Sequence, residues 1–357
     1  MSEYTLVEQS DSICHNLAQH DRLGVDTEFM RERTFFAELS LVQVSTAADI
    51  FCVDPLADTD MQAFWETLTG RTWIVHSARQ DIEVIYQSAQ LMPDALFDTQ
   101  VAAGLIGLAP QLGYASLVKE LFDVDIPKTH TRADWSKRPL ADALLQYAAE
   151  DVLYLLPAYE QLAEALDRKG RLEWASEDSA LLLDPSLYDV DPALAIDRLK
   201  GARNLRGRSR ATAARLAAWR EQQALRSNRP RQWIVKDTAL IGLALEQPAN
   251  VQNLEQIEGL TPGFIRRSGQ DVLATIRAAG NDNNDYRPPP RPDEAQKTLL
   301  KQMQKEVATC AADLGLAAET VASKRDLSAI IIGGNRNSRI LSGWRRELIG
   351  ERLLELL

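Results

Sequence analysis

The hydrophobic and polar positions of the first 170 residues alternate between the spacing of strands and that of helices. Short apolar runs predict strands at Leu23–Phe29, Glu38–Ser45, Ile50–Val53 and Thr72–His76. Helical spacing predicts helices at about 61–68 and 79–88, and a mostly helical chain from Phe97 onward. Three early strands followed by alternating strands and helices are typical of a mixed sheet covered by helices. We therefore predict an α/β domain over residues 1–170, in which Gly170 ends the last long helix.

The remaining residues have helical spacing and no convincing strand alternation. The pattern divides them into a connector, an all-α bundle, a linker and a second all-α bundle, at residues 171–204, 205–284, 285–292 and 293–357. Asp-Pro pairs at 184–185 and 191–192 mark the connector. Consecutive prolines mark the linker, because proline neither continues a helix nor donates a backbone hydrogen bond. The similar size of the two bundles is a weak indication of a repeat.

The composition is that of a water-soluble globular protein, with 45% hydrophobic and 25% charged residues. No apolar run approaches the length that a membrane helix requires, and the N-terminus lacks the order of a signal peptide. The three cysteines are widely separated and form no Cys-x-x-Cys pair, which argues against a disulfide scaffold or a thiolate zinc site. These features predict a protein of the reducing cytoplasm that does not associate with membranes.

The net charge of −11 conceals one strongly basic stretch. Residues 198–236 contain twelve basic residues and a single acid, Glu221. Such clustering indicates a surface that binds a polyanion, although a linker with solvated charges would also explain it. The candidate contacts to a nucleic-acid backbone are Arg203, Arg206, Arg208 and Arg210. Trp219 and Trp233 lie in the same stretch and could stack on bases, but we predict that both pack in a core.

Four carboxylates and a tyrosine carry the most informative chemistry. Asp26 and Glu28 lie two apart on a predicted strand, so both side chains point to one face. Tyr147 and Asp151 are four apart on a predicted helix and also share a face, while Asp81 opens another helix. Two such acids at about 4 Å repel by roughly 4 kcal/mol at an effective dielectric constant near 20. Divalent cations are the natural compensation.

Two divalent ions held by carboxylates suit the hydrolysis of a phosphodiester, because they stabilise charge on the attacking and the leaving oxygen. We expect Asp26 to bridge both ions, Glu28 and Asp151 to complete the first site, and Asp81 to hold the second ion through water. Tyr147 is a poor base, since a free phenol has a pKa near 10, and we expect it to orient the attacking water.

Three short segments resemble the motifs of the DEDD 3′–5′ exonucleases, in the subgroup with tyrosine in the third motif. They are Asp26-Thr27-Glu28-Phe29, His76 to Asp81, and Tyr147 to Asp151. Further segments resemble ribonuclease D, namely Glu38 to Val44, Phe97 to Gln100, Asp134 to Leu140 and Leu341 to Arg346. The first helical bundle resembles the HRDC domain. The resemblance covers nearly the entire chain.

The resemblance implies a ribonuclease H-like α/β exonuclease domain followed by two small all-α HRDC-like bundles. It also implies two Mg²⁺ or Mn²⁺ ions, RNA with a free 3′ end as substrate, release of 5′-mononucleotides, and trimming of tRNA precursors. No obligatory protein partner is expected. By the same resemblance Phe29 packs against the terminal base and Gln43 supports the active-site strand, although both also fit an ordinary core.

Some residues and functions have competing interpretations. His76 could bind substrate or a metal-bound water, or simply satisfy a backbone group at the end of its strand. Asp98 is better explained as a helix N-cap than as a fifth catalytic acid. An exonuclease that prefers DNA and a catalytically silent nucleic-acid-binding module are the alternative functions. The absence of a GxxxxGK[ST] phosphate loop from the sequence argues against an ATP-driven helicase.

Overall fold

The computed structural model describes residues 3–58, 60–127, 133–280 and 292–357. The predicted linker, 285–292, lies outside the described residues except for Pro292. The chain forms two compact units. The first unit contains Met1–Met30, Glu38–Tyr188 and Arg291–Leu357, and the second contains Arg31–Ala37 and Asp189–Pro290.

A six-stranded mixed sheet is the centre of the first unit. Its strands are β1 (Thr5–Val7), β2 (Arg22–Met30), β3 (Glu38–Ser45), β4 (Ile50–Val53), β5 (Thr72–Val75) and β6 (Ala95–Asp98). The spatial order is β1-β4-β3-β2-β5-β6. β3 is antiparallel to both β2 and β4, and the other neighbouring pairs are parallel. The predicted mixed sheet is therefore confirmed.

Two strands were not predicted. β1 has three residues, of which two are exposed, so it carries no alternation that a sequence pattern could reveal. β6 has four residues and leads directly into a helix, and the prediction of a mostly helical chain from Phe97 onward was wrong at this point. Both strands lie at the edges of the sheet, where pairing with one neighbour is enough to hold a short segment.

Helices cover the sheet in this part of the unit. They are α1 (Asp11–Leu17), α2 (Gln62–Thr69), α3 (Arg79–Ala89), α4 (Thr99–Ile106), α5 (Tyr114–Phe122), α6 (Asp142–Leu153), α7 (Leu155–Arg168) and α8 (Leu172–Ala180), followed by the 3₁₀ helices Leu181–Leu183 and Pro185–Leu187. As predicted, Gly170 follows the last long helix, with a φ of 66° that favours glycine.

Helix α6 packs on the face of the sheet to which alternate residues of β2 point. Ser45 of β3 is paired with Gly24 of β2, and its hydroxyl donates a hydrogen bond to the carbonyl of Val152 in α6 at 2.9 Å. A Cβ atom at Gly24 would overlap the Ser45 hydroxyl and come within 3.2 Å of Leu155. Glycine at this position therefore permits β2 and the α6–α7 corner to approach each other closely. We call this side the α6 face of the sheet.

The second unit is a helical bundle. Its helices are α9 (Gly207–Ser227), α10 (Arg231–Ile234), α11 (Asp237–Glu246), α12 (Val251–Leu254) and α13 (Pro262–Ala279), preceded by the 3₁₀ helices Pro192–Arg198 and Ala202–Asn204. Trp219 packs edge-on against Phe264 in the core of the bundle, as predicted. Trp233 is 62% exposed, so the core prediction for this residue was wrong. α10 is a single turn, and Val235 beside it fills the core instead.

The C-terminal residues fold as helices within the first unit. These are α14 (Glu294–Asp313), α15 (Ala318–Val321), α16 (Lys324–Gly333), the 3₁₀ helix Arg339–Leu341, α17 (Gly343–Arg345), the π-helical turn Arg346–Gly350 and α18 (Glu351–Glu355). Trp344 is buried and stacks on Trp174 of α8, with 4.3 Å between ring centroids. Arg345 binds both carboxylate oxygens of Asp178. These buried contacts explain why residues 293–357 do not form a separate unit.

None of the helices in the described ranges is long and apolar enough to cross a lipid bilayer.

Candidate active site

Three acids meet on the α6 face of the sheet. Asp26 and Glu28 project from β2, and Asp151 projects from α6, which lies against that face. One carboxylate oxygen of each residue can be chosen so that the three oxygens lie within 4.8 Å of one another. The alternation of β2 places the first two side by side, and the packing of α6 adds the third. We call Asp26, Glu28 and Asp151 the acid cluster.

Asp81 approaches from the first turn of α3 and lies outside the acid cluster. Its Oδ1 accepts a hydrogen bond of 2.6 Å from the hydroxyl of Thr27. Because Thr27 stands between Asp26 and Glu28 on β2, it points to the other side of the sheet. The charge of Asp81 nevertheless contributes to the raised pKa of Asp26 and of Glu28. The structure thus brings all four predicted acids into one electrostatic neighbourhood.

The turn before α3 is fixed by Asp98. The backbone N–H groups of Ser77 and Ala78 donate to its two carboxylate oxygens at 3.0 and 2.9 Å. Asp98 also accepts from the N–H of Gln100 as the N-cap of α4, which confirms the predicted cap. Ser77 has a φ of 61°, a conformation that few residues other than glycine adopt. Asp98 therefore supports the turn that places Asp81, and it is not a fifth acid of the site.

His76 does not have a free ring nitrogen. Nε2 lies 2.9 Å from the carbonyl oxygen of Leu112, and Nδ1 lies 2.9 Å from the hydroxyl of Thr99. A carbonyl only accepts, so Nε2 carries the proton of the neutral ring, and Nδ1 is paired with the Thr99 hydroxyl. Burial lowers the pKa of His76, which favours this neutral form. The prediction that His76 binds substrate was wrong, because both nitrogens are used within the fold.

Tyr147 lies on the same side of α6 as Asp151, one turn earlier. Its phenol donates a hydrogen bond to the Asp151 carboxylate. Burial, and next the charge of Asp151, raise the pKa of Tyr147, so the phenol keeps its proton at neutral pH. The indole of Trp135 lies 6.3 Å from the Tyr147 ring, measured between centroids.

The acids hold protons strongly when no cation compensates them. Burial raises the pKa of Glu28 to about 8 and that of Asp81 and of Asp151 to about 7. The pKa of Asp26 is raised well above its usual range by burial and then by the charges of the other three acids. A compact set of carboxylate oxygens with these properties is compatible with a divalent metal ion, since hard cations prefer oxygen ligands.

Arg138 is a structural residue of the site that the sequence did not reveal. Its guanidinium binds both oxygens of the buried Asp54 at 2.5 and 2.7 Å. It also donates to the carbonyls of Trp135 and Ser40, each at 2.7 Å. Ser40 is the extra residue of β3 where its pairing with β2 shifts next to Glu28. Arg138 therefore joins the loop that carries Trp135 to the edge of the acid cluster. Its main partner, Asp54, lies 84 residues earlier in the chain.

Phe29 is half-buried and directly follows Glu28 on β2. Alternation directs its side chain away from the face of the acid cluster, and its contact with a terminal base stays a prediction.

The basic stretch contains both exposed and buried arginines. Arg203, Arg206 and Arg208 are exposed. Arg210 is only 6% exposed, and its Nη1 donates to the carbonyl of Ala202 at 2.9 Å. The prediction that Arg210 contacts substrate was therefore wrong, because its side chain is buried and hydrogen-bonded within the second unit.

Other charges of this stretch are also used internally. Glu221 is buried and binds Arg198 at 2.9 Å and Arg231 at 2.6 Å. The guanidinium of Arg231 in turn lies over the ring of Phe35, at 4.4 Å from its centroid. Trp233 lies two residues after Arg231. It is exposed, although we predicted that it packs in a core. Its position in a one-turn helix, between the basic residues Arg231 and Lys236, was the feature that could have indicated its exposure.

Comparison with known proteins agrees with these observations. A family model described as a 3′–5′ exonuclease matches residues 4–167, and a model of the HRDC domain matches residues 209–276. Ribonuclease D of Gluconacetobacter diazotrophicus is 36% identical over 99% of this chain and 91% of its own length. Ribonuclease D of Acidiphilium cryptum is 38% identical over 99% of this chain and 93% of its own length.

A solved structure is similar along the whole chain. The crystal structure of Escherichia coli RNase D, described as an exoribonuclease involved in structured RNA processing, has a TM-score of 0.90 and 28% identity. It covers 100% of this chain and 99% of its own. Relatives above 30% identity over nearly their full length, together with this shared fold, show that the chain belongs to the ribonuclease D family.

Proposed function

We propose that this chain hydrolyses RNA from its 3′ end and releases 5′-mononucleotides with the help of two Mg²⁺ or Mn²⁺ ions. The observation that carries the proposal is the acid cluster, in which one oxygen of each acid lies within 4.8 Å of the others, on the fold of ribonuclease D. Asp26, Glu28 and Asp151 would hold one ion, and Asp26 with Asp81 would hold the other. When bound, such ions acidify the attacking water and stabilise charge on the attacking and leaving oxygens.

The chain's own residues orient the reactants. Tyr147 keeps its proton, so it serves as a hydrogen-bonding group rather than as a base. Its O–H is directed at Asp151, which leaves the oxygen lone pairs to accept a hydrogen bond from water beside the acid cluster. Trp135, fixed by Arg138, limits the freedom of the Tyr147 ring. This arrangement supports the role of Tyr147 in orienting the attacking water.

The variant Tyr147→Phe tests this role. We expect the single-turnover rate of RNA hydrolysis to fall on the order of 10²-fold, because the ring is retained and the hydrogen bond to water is lost. RNA affinity, measured in EDTA by fluorescence anisotropy, should change less than twofold. Tyr159→Phe is the matched control, since Tyr159 packs against Phe97 away from the acid cluster. An equal loss of rate and affinity would contradict the orienting role.

The direction and the class of substrate are tested with labelled oligonucleotides. RNA labelled at its 5′ end should yield a descending ladder, and RNA labelled at its 3′ end should yield labelled mononucleotide at once. EDTA should abolish both. Faster loss of a matched DNA strand would favour the alternative of a DNA exonuclease. If both labelled RNAs remain undegraded in the presence of Mn²⁺, the alternative of a catalytically silent binding module is favoured.

We further propose that tRNA precursors are substrates, that no protein partner is obligatory, and that the enzyme acts in the cytoplasm. The similar Escherichia coli protein is described as acting in structured RNA processing, which supports a structured substrate. Cys14, Cys52 and Cys310 are free thiols, which is consistent with a reducing compartment.

The second unit supplies the proposed surface for the RNA strand. Arg203, Arg206 and Arg208 are exposed, which contacts to phosphates require. Trp233 adds an exposed ring, and the exposed Arg229 and Lys236 lie within four residues of it along the chain. Cations for the backbone and an aromatic ring for the bases are the usual combination for single-stranded nucleic acid.

Two variants separate these contributions. Replacing Arg203, Arg206 and Arg208 together by alanine should weaken RNA binding and lower the slope of log K against log salt by about 2, at roughly 0.7 per phosphate contact. Trp233→Ala should weaken binding roughly tenfold without changing the slope, because stacking releases no counterions. The control removes Lys297, Lys301 and Lys305 of α14. A slope that does not respond to the arginines would return the basic stretch to the role of a solvated connector.

A further inference from the structure

Gln43 lies directly beside the acid cluster in the sheet. On β3 it is paired with Asp26 of β2 on one side and with Cys52 of β4 on the other. Paired residues on neighbouring strands point to the same face, so the Gln43 side chain lies next to Asp26 on the α6 face. Ser45, two residues further along β3, contacts α6 through Val152, which agrees with this direction.

The amide of Gln43 is anomalous for a core residue. The side chain is 0% exposed, and neither Nε2 nor Oε1 has a hydrogen-bond partner among the described residues. Nearly all buried polar groups have a partner, because an unpaired buried donor or acceptor costs free energy. Methionine or leucine would fill this space without that cost. The amide therefore indicates a polar partner that it does not contact in this arrangement of the site.

We propose that Gln43 is a positioning residue for the metal site, donating a hydrogen bond to the Asp26 carboxylate or to a water that the bound ion retains. This inference rests on the proposed metal-dependent function. Cβ atoms of directly paired residues lie about 4.5–5.5 Å apart, so a glutamine side chain is long enough to donate to the carboxylate of its neighbour or to a water beside it. Partners of this kind orient the groups that ligate a metal and raise its affinity.

The position of Asp26 makes such a donor valuable. One oxygen of its carboxylate lies within 4.8 Å of an oxygen of Glu28 and of an oxygen of Asp151, so Asp26 stands among like charges. A neutral N–H donor stabilises the charged carboxylate without competing for the ion. Thr27 gives Asp81 the same kind of support from the other side of β2. Gln43 and Thr27 thus support separate acids from adjacent strands.

The variant Gln43→Met tests the inference, because methionine is unbranched, similar in length and apolar. We expect the dissociation constant for Mn²⁺, measured by isothermal titration calorimetry without RNA, to rise about tenfold. The midpoint of thermal unfolding in EDTA should stay equal or rise, because two unpaired polar groups are removed. Gln43→Leu is a second apolar replacement and should behave in the same way.

Ser45→Ala is the matched control on the same strand and face. It loses the hydrogen bond to the Val152 carbonyl, so its unfolding midpoint in EDTA should fall while its Mn²⁺ affinity stays that of the wild type. If Gln43→Met and Gln43→Leu bind Mn²⁺ as tightly as the wild type, Gln43 is only a packing residue and the inference is overturned. If the wild-type protein binds no Mn²⁺, the metal-dependent function fails first, and the inference fails with it.

Discussion

Asp26→Asn is expected to reduce the single-turnover rate of RNA hydrolysis by about a thousandfold or more, which corresponds to roughly 4 kcal/mol of transition-state stabilisation. Asp26 is the member of the acid cluster whose charge is coupled to Glu28, Asp81 and Asp151 together. Asparagine keeps its shape and removes the charge that a bridging ligand supplies. The measurement is a rapid-quench time course at saturating enzyme and Mn²⁺.

The control for this variant is Asp49→Asn, which changes an exposed carboxylate outside the acid cluster and should keep the wild-type rate. The thermal unfolding of Asp26→Asn itself excludes a loss of folding. Because this substitution removes a buried charge from a repelling set, it should raise the midpoint of thermal unfolding in EDTA. Activity and stability would then change in opposite directions, as at many catalytic sites. A rate loss below tenfold would contradict the bridging role of Asp26.

Local geometry explains which parts of the site the sequence could predict. Asp26 and Glu28 share a face because the side chains of a strand alternate between its two faces. Tyr147 and Asp151 share a face because residues four apart in a helix are neighbours on its surface. Neither pairing depends on tertiary structure. That α6 brings a carboxylate oxygen of Asp151 within 4.8 Å of oxygens of Asp26 and Glu28 depends on packing. Gly24 allows this packing by leaving room for Ser45, and no spacing rule reveals such a contact.

The wrong predictions concern burial, which is a tertiary property. Arg208 and Arg210 lie two apart in one basic stretch and look equivalent in the sequence, but they point about 200° apart around α9, so one is exposed and the other buried. His76 finds its partners 23 and 36 residues further along the chain. Trp233 is exposed, and the four-residue helix α10 buries none of its side chains.

The acids of the site also predict how stability depends on pH. In the unfolded chain their pKa values lie near 4, whereas in the folded protein those of Asp81 and Asp151 are about 7 and that of Glu28 is about 8. Between these limits the folded state binds more protons than the unfolded state, so the free energy of unfolding falls as pH rises. A carboxyl group whose pKa moves from about 4 to about 7 contributes roughly 4 kcal/mol to this change.

In EDTA we therefore expect the midpoint of thermal unfolding to fall steadily from pH 5 to pH 8.5, a range that covers most of the change. Mn²⁺ should reverse the fall, because the ion compensates the charges that protons neutralise at low pH. The increase that Mn²⁺ produces should be large at pH 8 and small at pH 5, where protons compete for the same oxygens. Asp26→Asn should flatten both responses. A midpoint that rises with pH in EDTA would show that these acids do not repel one another in the folded protein, and the physical reason for assigning a metal site to them would be lost.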